Sequence, residues 1–327
     1  MIASIDFRKF KALRHTRVEL APFNLVIGPN GSGKTSLIEA LLRLRTLAAL
    51  APSEEAFAQR VEGPEIEYRF APPFAGLTVK LGCMAERVCD TLRVEPRAAP
   101  GWPALREELS SIRGYVLEHD AMMRTAPRAA GAVLAADGSN LAAVLAHLRG
   151  TTPLVFAGLS AEIMRLLPEF QALELKKFPE DRVGFGLRLA EGGLVPAAEL
   201  SQGMLYLIAV LALAFDPAPP RVLCIEEVDR GIHPRMLREI RDALYRLSHP
   251  AVRDPVRPAV QIVTTTHSPY FIDLFREHPE EVILLQKVGR AARFERLIDR
   301  PDLPELLREG SLGDMWFSGI LGGIPEE

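Results

Sequence analysis

Three times along this chain an apolar, often β-branched run stops abruptly at small or polar residues, and a helical pattern follows. The first switch lies at 23–37, where Leu25, Val26 and Ile27 run into Gly28, Gly31 and Gly33, after which apolar positions recur as Leu37, Ile38, Leu41 and Leu42. A short apolar run bounded by glycine predicts a buried strand, and recurrence at three and four predicts a helix packed on it. The second switch, 221–229, is an apolar strand ending in Glu226 and Glu227. The third, 263–269, runs Val-Thr-Thr-Thr into His267, Ser268 and Pro269.

The remaining pattern frames these switches. Residues 2–7 and 16–20 read as two strands of a hairpin-like start, with Arg8, Lys9, Lys11 and Arg14 between or beside them. That basic cluster is either a solvated turn or a contact to a polyanionic ligand. Partial alternation at 65–71, 76–84 and 90–95 predicts an antiparallel sheet, ended by Pro96, Pro100, Gly101 and Pro103. From 104 to 175 short helical patterns dominate, such as Leu141, Val144, Leu145 and Leu148, and 183–195 reads as a hairpin turning at Gly192 and Gly193. The last third alternates strand 221–225, helix 234–247, strand 260–264, helix 269–275 and strand 281–286, with a proline-marked solvated loop at 250–258. Such alternation calls for a parallel sheet covered by helices, an α/β fold continuing the one begun at Val26. The chain thus divides into 1–100, an inserted and mostly helical lobe 101–200, and 201–327, which returns to the first sheet. No sustained heptad is visible, so a long coiled-coil arm is not expected.

Composition narrows the picture a little. A hydrophobic fraction of 48% with 25% charged residues is ordinary for a globular protein. A net charge of −3 argues against coating nucleic acid by bulk electrostatics, though a local basic groove stays open. Three cysteines, Cys83, Cys89 and Cys224, suggest neither a disulfide framework nor zinc spacing, which fits a reducing cytosol. The longest apolar run, 205–215, is too short to span a bilayer, and the amino terminus lacks an export pattern. The expectation is a cytoplasmic protein with no membrane partner.

The chemistry gathers at the three switches. Residues 28–35 fit the phosphate-loop spacing, two glycines five apart followed by Lys34 and Thr35. Glycines allow consecutive backbone N–H groups to turn around phosphate oxygens, at the positive end of the following helix. Asn30, Gly31, Ser32, Gly33, Lys34, Thr35 and Ser36 are therefore the expected nucleotide-binding residues, with Lys34 on the β- and γ-phosphates and Thr35 on Mg²⁺. Glu226 and Glu227 stand at the carboxyl edge of their strand, where open α/β sheets bind ligands. By position Glu226 takes the metal role and Glu227 the role of a base toward the attacking water. His267, at another strand's carboxyl edge, can contact a γ-phosphate. The stretch 199–204, Glu-Leu-Ser-Gln-Gly-Met, precedes an apolar helix; by itself it is a helix cap in which Ser201 and Gly203 expose N–H groups.

Together these pieces resemble the ATP-binding-cassette type ATPases of the RecF/SMC/OLD group, the compact bacterial AAA family ATPases in particular. Residues 28–35 look like the Walker A motif, 199–204 like the signature motif, 222–227 like the Walker B, 228–234 like the D-loop, and 266–269 like the switch histidine. Ile5-Asp6-Phe7-Arg8-Lys9-Phe10 and Gly138-Ser139-Asn140-Leu141 are also similar to stretches of that group. The resemblance implies a P-loop NTPase fold with an antiparallel β subdomain and an inserted helical lobe. It also implies two ATP molecules sandwiched with Mg²⁺ in a head-to-tail homodimer, where Ser201 and Gly203 act in trans on the partner's nucleotide. Its implied output is DNA-linked work, either repair or anti-phage defence; the alternative is a slow ATP switch gating a separate effector, a nuclease or toxin. Two departures stand out: Glu226 replaces the usual Asp, and Gln59 fits the Q-loop by order only.

Overall fold

The computed structural model describes residues 1–60, 62–250, 258–289 and 291–322, so most of the 250–258 connection lies outside the described residues. The chain forms two units. One comprises 1–114, 220–228 and 248–327, and the other 115–219 and 229–247.

The first unit carries two sheets. Strands Ile2–Phe10 and Leu13–Glu19 pair antiparallel, and Ile2–Phe10 then pairs with Glu65–Phe70, which is followed by Thr78–Ala85 and Val88–Glu95. The burial of Ile2–Phe10 and Glu65–Phe70 alternates in the manner of a sheet with one face packed. The second sheet has six strands, with Phe23–Ile27 at its heart. Parallel neighbours Gln261–Thr265 and Val282–Val288 flank it, and Val222–Ile225 lies parallel to Gln261–Thr265. Phe23–Ile27, Val222–Ile225 and Gln261–Thr265 are buried at every position, as parallel strands covered on both faces must be. Their apolar runs were legible for that reason. Ala291–Arg296 adds an antiparallel edge, a strand without a readable pattern because its inward positions are mostly half-buried.

Helix Lys34–Ala48 packs Leu37, Ile38, Leu41 and Leu44 into one core shared with Phe7, Ile66 and Val79 of the first sheet and Val26, Val263 and Ile283 of the second. Buried polar groups fix its surroundings. Tyr68 donates its hydroxyl to Ala40 O at 2.8 Å. The Gln261 amide accepts from Ile2 N at 2.9 Å and donates to Ile2 O at 2.8 Å, so strand pairing at the start of the chain is tied to the central sheet.

The second unit combines helices with a small sheet in which Arg182–Leu189 is paired by Phe170–Phe178 and Leu194–Pro196. The expected hairpin at Gly192 and Gly193 is present, both with positive φ (99° and 91°). Its longer partner Phe170–Phe178 lies in a stretch that reads as helical by sequence; Phe170–Phe178 has an exposed outer half and therefore weak alternation. Helix Gln202–Ala214 is buried from Leu205 to Leu213. The longest helix among the described residues, Lys34–Ala48, has 15 residues, and no helix there is long and apolar enough to cross a membrane.

The expectation for the cysteines is overturned as well. Cys83 and Cys89 form a disulfide, with Cys224 left as a buried free thiol. Six positions apart is too close to read as a framework, but the antiparallel register sets Cys83 directly against Cys89.

Candidate functional site

The loop between Phe23–Ile27 and the helix at Lys34 is shaped by its glycines. Gly31 and Gly33 take φ of +73° and +110°, conformations that side chains resist. At Gly28 a Cβ would sit 2.5 Å from Leu285 O and 2.7 Å from Ser32 Oγ, so glycine is demanded by packing. Gly33 caps the helix with no side-chain acceptor, leaving first-turn N–H groups available to an anion. Lys34 folds over the loop and donates to Gly28 O at 2.6 Å and Pro29 O at 3.0 Å. Burial lowers its pKa from 10.5 to about 8, against the opposing pull of Glu227 and then Glu226.

Glu226 and Glu227 follow Val222–Ile225 across the sheet. Thr35 Oγ1 donates to Glu226 Oε2 at 3.0 Å, which joins the start of the helix to the acidic strand. Glu227 has a left-handed backbone, φ 49°, the sparsely populated region for such a residue. Thr265 secures this turn twice: its hydroxyl accepts from Glu227 N at 2.9 Å and its carbonyl from Val228 N at 3.1 Å. Thr264 Oγ1 bonds Ile225 O, and Thr266 Oγ1 accepts from Ser268 N, both at 2.9 Å. The threonine run thus sets both the acidic turn and the start of the segment after His267. Thr265 was missed by sequence reasoning; its only signal was a hydroxyl residue at the carboxyl end of a buried strand.

Asn30, Gly31, Gly33, Lys34, Thr35, Ser36, Glu226, Glu227 and His267 line one cleft of about 370 Å³, with Lys11, Ala12, Arg87 and Thr265. Ser32 is fully buried, and its hydroxyl has no hydrogen-bond partner among the described residues. An ammonium, a hydroxyl, two carboxylates and an uncapped helix start fit a polyphosphate carrying a divalent cation, and the Ser32 hydroxyl is a further polar group in the same loop. Gln59 ends the short helix Glu54–Ala58 and is not among the lining residues.

Ser201 and Gly203 belong to the second unit. Ser201 Oγ accepts from Met204 N at 3.3 Å, the expected cap. Gly203 packs so tightly that a Cβ would lie 2.4 Å from Gly231 O.

Residues 23–273 match the family model described as "AAA domain, putative AbiEii toxin, Type IV TA system". The chain belongs to this AAA family. The DNA replication and repair protein RecF of Thermomicrobium roseum is 37% identical over 117 residues, which cover 35% of this chain and 29% of that protein. The match therefore spans less than a third of that relative's length. Among solved structures, the Smc head bound to the C-winged helix domain of ScpA is similar with a TM-score of 0.62 at 16% identity, over 90% of this chain and 96% of that one. The SMC head domain from Thermotoga maritima is similar with a TM-score of 0.53 at 14% identity, covering 90% and 98%. The expected RecF/SMC-like P-loop ATPase fold is therefore the observed one, with an antiparallel β subdomain and no long coiled coil among the described residues of this AAA chain.

Proposed function

We propose that this AAA-family chain is a cytoplasmic enzyme that binds ATP with Mg²⁺ and hydrolyses it, and that ATP closes a head-to-tail homodimer whose opening and closing drives DNA-linked work, in repair or anti-phage defence. The observation that carries this reading is the convergence of Lys34, Thr35, Glu226, Glu227 and His267 on one cleft. Mg²⁺, when bound, neutralises phosphate charge and polarises the γ-phosphate. Thr35 and Glu226, joined by their hydrogen bond, would hold it. Lys34 exchanges its two carbonyl partners for phosphate oxygens, an ammonium-to-anion contact stronger than those it leaves. Glu227 orients a water and accepts its proton, and His267 contacts the γ-phosphate oxygens. Ser201 and Gly203 present the N-terminus of their helix to the partner's γ-phosphate, so a lone protomer turns over slowly.

The DNA-linked output is supported by the RecF relative, whose name assigns it to replication and repair. The toxin–antitoxin wording of the family favours the second reading, a slow ATP switch gating a separate effector. Sizing the Glu227→Gln protein by light scattering, with and without ATP and then with duplex DNA, tests both. An ATP-dependent dimer is expected, and hydrolysis by the wild type stimulated several-fold by DNA favours the first output. A Glu227→Gln protein that stays monomeric at saturating ATP overturns the dimer.

A further inference from the structure

The cleft has a second basic end, which none of the roles above uses. Arg87 stands at the tip of the hairpin joining Thr78–Ala85 to Val88–Glu95, exposed to solvent and lining the cleft with Lys11, Ala12 and Ser36. The tip is held from several sides. Arg43 Nη2 donates to Arg87 O at 3.3 Å, Glu86 pairs with Arg14 at 3.0 Å, and the Cys83–Cys89 bond closes the hairpin. Ser36, Glu39 and Arg43 are spaced three and four apart, so they share one face of helix Lys34–Ala48, the face turned toward this tip.

The two ends of the cleft differ in charge. Glu227 and Glu226 act on Lys34, whereas burial, and then the positive Arg87 and Arg43, lower the pKa of Lys11. Lys11 is committed to Glu39 by an ion pair. The Arg87 guanidinium makes no hydrogen bond or ion pair among the described residues, and it is the uncommitted cation of this end. A planar guanidinium matches two phosphate oxygens at once.

We propose that Arg87, delivered by the hairpin tip beside Ser36, grips the α-phosphate of the bound nucleotide and closes the end of the cleft remote from Glu226 and Glu227. This rests on the nucleotide reading above. With the β- and γ-phosphates between Lys34 and the carboxylates, the α-phosphate is the one anionic group left for the far end. Because ADP and ATP both carry it, Arg87 adds to the affinity of both equally.

Calorimetric titration of wild type, Arg87→Ala and Arg87→Lys with ADP and with ATP in Mg²⁺ buffer tests this. The expected result is a loss of roughly tenfold for both nucleotides in Arg87→Ala, the low end for a charge-assisted bond at an exposed position. Arg87→Lys recovers part of it. The proposal is overturned by unchanged affinities, by a loss confined to ATP, which is a γ-phosphate contact, or by a loss confined to duplex DNA binding. Wild type that binds neither nucleotide removes the nucleotide reading as well; wild-type binding matched by Arg87→Ala removes Arg87 alone.

Discussion

Thr35 and Glu226, 191 positions apart, meet through a 3.0 Å hydrogen bond between hydroxyl and carboxylate. The start of the helix after one strand is thereby joined to the acid-tipped end of another, and these are the two oxygens that would hold Mg²⁺ in the proposed function. Glu226 has one more methylene than aspartate, so the reach to Thr35 is made by the side chain. Shortening it by Glu226→Asp opens that direct bond but still allows a water between the groups. Hydrolysis within several-fold of wild type is expected for Glu226→Asp, and a Mg²⁺ requirement raised at least tenfold for Glu226→Ala. A Mg²⁺ titration of the ATPase rate separates the two, and equal Mg²⁺ curves for Glu226→Ala and wild type contradict the role.

Much of this arrangement was legible because buried parallel strands must be apolar throughout, and each one ends where the chemistry begins. Leu25 to Ile27, Val222 to Ile225 and Val263 announced their strands, and Gly28, Glu226 and His267 marked their ends. What stayed hidden depends on register and on contacts far apart in sequence. Phe170–Phe178 is half exposed and carries no clear alternation. Cys83 meets Cys89 only through strand pairing, and Arg87 reaches the cleft only because its hairpin is folded against the helix carrying Ser36. Thr265 acts through its position beside Glu227, which no spacing in the sequence encodes.

Gly28 is needed for the protein's own packing, quite apart from any ligand. A Cβ there meets a backbone carbonyl, Leu285 O, at 2.5 Å, and a carbonyl in a buried strand cannot move aside cheaply. Gly28→Ala is expected to destabilise the nucleotide-free protein by about 1–3 kcal/mol, the usual range for overpacking. Gly31→Ala meets no atom within 4 Å and suffers only its φ of +73°. Denaturant melts without nucleotide should rank Gly28→Ala below Gly31→Ala; the reverse order contradicts the packing argument.

Lys34 predicts a pH dependence whose sign differs for binding and for stability. Burial brings its pKa from 10.5 to about 8 in the folded chain. Below about 8 the ammonium is present and draws a polyphosphate; above it, binding must take up a proton, so affinity for ADP falls as pH rises through 8. The unfolded chain keeps the proton up to about 10.5, so unfolding takes up a proton between about 8 and 10.5 and this group's contribution to stability grows with pH across that window. Below about 8 its burial is a full penalty. Calorimetry in buffers of different ionisation enthalpy should find proton uptake on ADP binding above pH 8 and little at neutral pH. Lys34→Ala should lose nucleotide binding at every pH.

Ser201 separates a structural from a chemical role. Its hydroxyl accepts from Met204 N, so Ser201→Ala removes a helix cap worth about 1 kcal/mol. Asp caps as well as Ser does, so Ser201→Asp should keep stability near wild type while setting a carboxylate against the partner's γ-phosphate. If each serine serves the partner's nucleotide, Lys34→Ala and Ser201→Asp are each inactive alone, but a mixed dimer of the two holds one composite site with both residues intact. Mixing the two proteins at equal concentration should therefore restore a measurable fraction of the wild-type ATPase rate, rising with total protein concentration as heterodimers form. Variants that stay inactive when mixed, although light scattering shows that the mixture forms a dimer with ATP, would show that Ser201 serves its own protomer's nucleotide.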